Sequence, residues 1–162
     1  MPIHIRLSVE DRHGVLDRVT GLFRRNGLNI SEINAGEKGD GTSRINIRLK
    51  DKGADVHILG KALAQLGCVQ SWEECDDSTH IVREMALFSL HSKDYQKDKF
   101  PGVQLIEQCG DIMIFAYVAP PPEIDALMET HKELICDCSR GGALGVTKAL
   151  GQHGLGGGKS NE

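Results

Sequence analysis

Residues 9–31, VEDRHGVLDRVTGLFRRNGLNIS, run from the end of one strand through a glycine-bearing loop and an amphipathic helix into a second strand. Leu16, Val19, Leu22 and Phe23 recur at steps of three and four residues, which puts them on one side of a helix, with Asp17, Arg18, Arg24 and Arg25 on the other. Such a stripe requires a sheet to cover it. Gly27 stands just past the last apolar position, where a left-handed backbone ends a helix at little cost. Gly14 stands in the loop that feeds the helix. A helix start carries unpaired N–H groups and the positive end of the macrodipole, so a glycine there lets the backbone approach a small anion such as a carboxylate.

On either side of this stretch the periods alternate between two and 3.6. Ile5, Leu7 and Val9 alternate with polar neighbours, the signature of a strand with one wet face. Leu28, Ile30 and Ile33 resume the alternation with a slip, and EKGDGTS supplies the Gly and Asp residues of a hairpin connection. Ile45, Ile47 and Leu49 form a third strand. Asp55 is placed to N-cap a second helix, whose Ile58, Leu59, Ala62, Leu63 and Leu66 make an apolar stripe ending at Gly67; a fourth strand begins at Val69. Strand, helix, strand, strand, helix, strand is the ferredoxin-like split pattern.

The second half repeats it. A strand covers Met85 to Leu90, a hairpin joins the segments 103–109 and 111–118, Pro122 opens the helix EIDALMETHKE, and Leu134 to Ser139 closes the unit. The segment HSKDYQKDKFPG, where the first helix of the repeat belongs, holds only Tyr95 and Phe100 as large apolar residues and is too short and polar for an amphipathic helix. The fold class read here is α+β: two tandem βαββαβ units, the second partly degenerate. The expected boundaries are residues 1–75, a linker at 76–82, a second domain at 83–150 and a flexible tail at 151–162.

A net charge of −4 argues against a general nucleic-acid binder. The start MPIHIRLSVEDRHG lacks a secretory pattern, and the longest apolar run, residues 112–119, is far short of the roughly 20 residues a membrane helix needs. A cytoplasmic protein with neither nucleic-acid nor membrane partner is the expectation. Five cysteines in no framework read as free, buried thiols, Cys136 and Cys138 included. No nucleophile, base and orienter stand in a recognisable catalytic motif, and GLGGG lacks the strand and helix of a dinucleotide loop. No resident cofactor or metal is expected.

Four pieces carry a family resemblance: DRHGVLDRVTGLFRRNGLNISEI, then TSRINIRL, then IVREMALFSL, and finally EIDALMETHKELICDCSRGGALGV. The first resembles an ACT domain, and the series resembles the small, regulatory subunit of acetolactate synthase. Asp11 stands where that family commonly has Asn, and HSKDYQKDKFPG stands where it commonly has a helix. The resemblance implies a non-catalytic subunit that activates a large, thiamine-diphosphate-dependent catalytic subunit and transmits feedback inhibition by valine or another branched-chain amino acid. It also implies a homodimer formed through the ACT units, with effector at their interface. Alternatives are a stand-alone ACT-repeat sensor serving another enzyme or a transcription factor, and a small enzyme on a ferredoxin-like scaffold.

The effector contacts expected on this basis are Asp11, His13, Gly14, Val15, Asn29 and Ile30. Backbone N–H groups at Gly14 and Val15 suit a carboxylate, Asp11 can accept from an ammonium, and Asn29 matches the family position that reaches the neighbouring chain. Each has a plainer reading. Gly14 serves a tight turn, Asn29 is a polar strand start, and His13 is a solvated loop residue. Asp11 and Asp17 favour the positive end of the helix by under about 1 kcal/mol each. Gly21, inside the helix, is expected to let another backbone approach.

Overall fold

The computed structural model describes residues 3–50, 55–76 and 78–148. The first sheet has strands β1 (His4–Glu10), β2 (Ile30–Glu37), β3 (Thr42–Leu49) and β4 (Val69–Glu74) in the order β2-β3-β1-β4, all antiparallel. Helices α1 (Val15–Arg25) and α2 (Val56–Ala64) cover one face of it. Alternation in β1 sends Ile5, Leu7 and Val9 under the helices, where they join Ile45, Ile47, Leu49, Val19, Phe23 and Leu63 in one core. His4, Arg6 and Ser8 point the other way. Asp55 caps α2 as expected, accepting from the His57 and Ile58 amides at 3.0 and 3.1 Å. At the end of α1 Gly27 takes a φ of 67°, and Leu28 N–H returns to Phe23 O at 3.0 Å.

The apolar stripe of α1 begins one residue earlier than its spacing suggests. Val15 is buried and Leu16 is 47 % exposed, because Gly14 turns the chain so that the first helical residue already faces the sheet. Gly21 is not the close-approach glycine either: a Cβ there would meet only the flexible guanidinium end of Arg25, at 3.4 Å. That role falls to Gly60 in α2, where a Cβ would lie 1.9 Å from Cζ2 of Trp72 on β4.

The second sheet holds β5 (His80–His91), β6 (Gln104–Cys109), β7 (Ile112–Ala119) and β8 (Ile135–Arg140) in the order β6-β7-β5-β8, the same topology again, with α3 (Pro121–Thr130) on one face. Pro121 and Pro122 occupy the first turn of α3. Two 3-10 turns, Ser92–Asp94 and Lys97–Lys99, stand in place of the first helix. Phe100 anchors them: it is 1 % exposed, with ring centres 6.0 Å from Phe88 and 4.4 Å from His131, while Tyr95 lies 4.7 Å from Phe115. Glu84 of β5, 1 % exposed, receives both Nε and Nη2 of Arg140 on β8 at 2.6 Å, and Asp125 of α3 takes Nη1 at 2.7 Å. This fork ties a strand, its neighbour and the helix together.

The chain divides differently from the boundaries read in the sequence. Among the described residues, one compact unit comprises those up to Ile81 together with Gly145 to Lys148; the other is Val82–Leu144. Within the expected linker at 76–82, Asp76 accepts from the amides of Ser78 and Thr79 at 2.7 and 3.1 Å and from both their hydroxyls, and β5 already starts at His80. Those bonds, led by the Ser78 hydroxyl, hold the Asp76 carboxyl down to about 2. Near the other expected boundary a further strand, β9 (Leu144–Thr147), pairs with β5, while the residues from Gly145 to Lys148 group with the first unit. The tail expected at 151–162 lies outside the described residues. Cys68 and Cys75 are buried free thiols, but Cys109, Cys136 and Cys138 are exposed, because they lie on the outer strands β6 and β8.

Replacing Gly60 by Ala is expected to cost about 1–3 kcal/mol through overpacking and to shift the emission of Trp72, the sole tryptophan. Gly21→Ala, with room at its Cβ, is expected to gain up to about 1 kcal/mol. Urea unfolding followed at Trp72 checks both.

Candidate functional site

The loop between β1 and α1 is built by backbone bonds. Glu10 N–H donates to Cys68 O at 2.9 Å, Asp11 N–H to Gly41 O at 3.1 Å, and Val15 N–H to Arg12 O at 3.4 Å. Asp11, Arg12, His13 and Gly14 are all exposed, and Gly14 takes a φ of 80° as the cap of α1 with no side-chain acceptor at that end. A Cβ at Gly14 would meet nothing within 4 Å, so glycine is required there by its backbone angle and not by crowding. Arg18 N–H reaches Gly14 O at 3.1 Å, which leaves the Leu16 and Asp17 amides without a backbone acceptor among the described residues. Asp11 is held from the side: Ser43 Oγ donates to its Oδ1 at 3.0 Å. Arg12 is turned aside onto Glu10, Nε to Oε2 at 2.7 Å.

Four of the six expected contacts, Asp11, His13, Gly14 and Val15, therefore converge on this bend. Val15 offers only its backbone, since its side chain is in the core. Asn29 and Ile30 sit beyond the opposite end of α1, where Asn29 O accepts from Lys50 N–H at 2.9 Å and Ile30 pairs with Leu49. Eleven helical residues, about 16 Å at 1.5 Å each, separate the two groups within one chain. Leu16 and Ser43 complete the bend. The amphipathic pattern hides Leu16 in the stripe, and Ser43 is distant in sequence, so neither carried a local signal.

The reverse face of the same sheet is polar. Opposite the helices, β3 presents Arg44, Asn46 and Arg48 beside Ser8, Arg6 and His4 of β1. Arg6 donates Nε to Glu73 Oε1 at 2.6 Å, Nη1 to Gly145 O at 2.7 Å and Nη2 to Thr147 Oγ1 at 2.9 Å, so β9 is latched onto this face. Gly145 is wedged in: a Cβ would stand 3.0 Å from Cys75 Sγ and 3.4 Å from His4 Cε1. His80 Nε2 faces the second Glu73 oxygen at 3.2 Å. His4 is 6 % exposed and its ring nitrogens have no hydrogen-bond partner among the described residues. Burial first, then the charges of His80, Arg48 and Arg6, push its pKa down from 6.5 to about 4. Burial also raises the Cys75 thiol to about 11, which makes it unreactive. No group of three or more His, Cys, Asp or Glu side chains capable of holding a metal occurs among the described residues, and no helix among them is long and apolar enough to cross a membrane.

Tandem split-βαβ units with a glycine bend at the start of the first helix define a protein of the ACT class, and residues 5–70 match the family described as the AHAS small subunit-like ACT domain. A probable acetolactate synthase small subunit from Archaeoglobus fulgidus is 35% identical over 152 residues, which cover 89% of this chain and 95% of that protein. The acetolactate synthase small subunit from Buchnera aphidicola is 27% identical, over 89% of this chain and 96% of its own length. Both units are thus spanned, and the chain belongs to the acetolactate synthase small-subunit family. The crystal structure of such a subunit from Thermotoga maritima superimposes with a TM-score of 0.79 over 92% of this chain and 98% of that one, at 22% identity, a likeness of fold.

The His4 environment has a pH signature. The buried ring stays neutral in the folded chain while the unfolded chain takes up a proton below about 6.5, so its contribution is complete above that pH and is lost as pH falls towards 4. The expected loss is on the order of 3 kcal/mol. Urea unfolding read at Trp72 between pH 7.5 and 4 checks it, with the slope expected to flatten in His4→Gln.

Proposed function

We propose that the chain is the regulatory subunit of an acetolactate synthase, without catalysis of its own. It binds the large, thiamine-diphosphate-dependent catalytic subunit, raises its activity and transmits inhibition by a branched-chain amino acid. The observation that supports this most is the likeness across both units to small subunits, since an ACT unit alone would fit many regulated proteins.

The site follows from the separation of the two halves along α1. Two copies whose first sheets meet along the outer strand β2 bring the bend of one chain to Asn29 and Ile30 of the other. The amides at the start of α1 take the effector carboxylate, Asp11 and the Asn29 side chain take its ammonium, and Leu16 with Ile30 forms the apolar wall. Ligand between two copies favours the arrangement it bridges, with a coupling of about 1–3 kcal/mol, and the large subunit senses that arrangement. Ser43 already engages one Asp11 oxygen, which fixes the carboxylate beside the bend. Its negative charge there favours a second reading, a sensor for an amino acid with an additional donor.

The test uses the chain with its large subunit. Association, a rise in acetolactate formation and inhibition by valine are expected; no complex and no change in rate would remove the proposal. Gly14→Val, strained at positive φ, and Asn29→Ala should each abolish the thermal shift given by valine. Mixed dimers of the two variants regain one intact site of two, and a recovered shift with about half the stoichiometry in calorimetry is the expected outcome. A thermal shift with lysine or arginine and none with valine, leucine or isoleucine would move the assignment to the sensor.

A further inference from the structure

The open face of the second sheet differs from that of the first. On β5 the side chains turned away from α3 are Arg83, Met85, Leu87 and Ser89; on β7 they are Val118, Ala116 and Ile114, paired directly with Met85, Leu87 and Ser89. Met85, Leu87 and Val118 are 47, 39 and 61 % exposed. Bare apolar side chains on adjacent strands form one patch, and a patch of this kind marks a contact surface. Its charges are sorted along the strands. Arg83 lies at the start of β5; at the far end the row Glu107, Ile114, Ser89, Asp137 places a carboxylate on each outer strand. Arg83, Glu107 and Asp137 are all exposed.

We propose that this face binds the same face of a second copy, sheet on sheet, with strands antiparallel about a two-fold axis near Leu87. In that arrangement Arg83 of each copy meets the Asp137 end of the other, Leu87 and Ala116 close on their symmetry mates at the axis, and Met85 and Val118 pack on the Ser89 and Ile114 row of the other copy. A parallel arrangement would stack Arg83 on Arg83 and the carboxylates on one another. The face is therefore complementary to itself in one orientation only, which is the requirement of an isologous contact. The residues after Thr147, KALGQHGLGGGKSNE, hold two leucines as their only large apolar side chains and do not match such a face. This contact is separate from the β2 edge and the effector bend, and it stands whether or not the regulatory reading does.

The experiment places Leu87→Cys in the full chain with Cys109, Cys136 and Cys138 replaced by Ser, and treats it with a short bis-maleimide at micromolar protein. A covalent dimer joined at position 87 by peptide mapping is expected, lost by at least tenfold in yield with Arg83→Glu and regained when Asp137→Arg is added. Circular dichroism of each variant reports that the fold is kept. Absence of the 87–87 product in folded protein overturns the proposal, as does a product indifferent to the charge reversal. Protection of the introduced thiol by the large subunit, without a product in that subunit's absence, also overturns it and gives the face to that partner. Because the readout is at position 87, loss of valine binding or of the first-unit dimer leaves the result interpretable.

Discussion

A strand sends alternate side chains to opposite faces, so a sheet always presents two surfaces that must each be reconciled with water. Both units resolve one surface in the same way. The buried set on the central strand, Ile5, Leu7 and Val9 in β1 or Ala86, Phe88 and Leu90 in β5, is roofed by elements that follow in sequence. Once α1 is laid on the first sheet its start has to lie at the end of β1, and the glycine bend is carried there with its free amides pointing outward. The geometry of the bend is thus a by-product of covering the core.

What differs is the second surface. In the first unit it is populated by charges that neutralise one another at short range, Arg6 with Glu73 and Arg48 with Glu32 at 2.6 Å, and it needs no further cover on hydrophobic grounds. In the second unit methyl groups occupy the equivalent rows. Identical topology therefore does not mean equivalent exteriors, and the distinction lies in a handful of side chains at even or odd positions. The second unit also does without its first helix. Phe100 and Tyr95 fill that volume from two short turns, which shows that the roof over a sheet can be assembled from aromatic rings held by little regular backbone.

Much of this was legible in the residues. The period of two in Ile5, Leu7 and Val9, the Asp55 cap, the Gly27 stop and the absence of a helix pattern in HSKDYQKDKFPG each reported local structure correctly, because each is decided within a few residues. The features that escaped are decided at long range. Nothing near Gly60 announces that Trp72 will lie against it, nothing near Asp11 points to Ser43, and LGVT is too short to stand out as β9. The candidate site was readable as residue types but not as a place. Its two halves lie at opposite ends of one helix, and in the proposed dimer only a second chain reunites them.

The latch between Arg6 and the Gly145–Thr147 segment has a bearing on biogenesis. Residues 145–147 leave the ribosome after the whole Val82–Leu144 unit, yet they complete the layer over His4 and Arg6. The amino-terminal sheet can collapse early during synthesis, but it stays unfinished, with a guanidinium and an imidazole awaiting their lid, until that late segment has emerged. Nascent chains stalled or clipped before residue 145 would consequently be recognisable to quality control through the first unit, the part of the molecule that was made earliest.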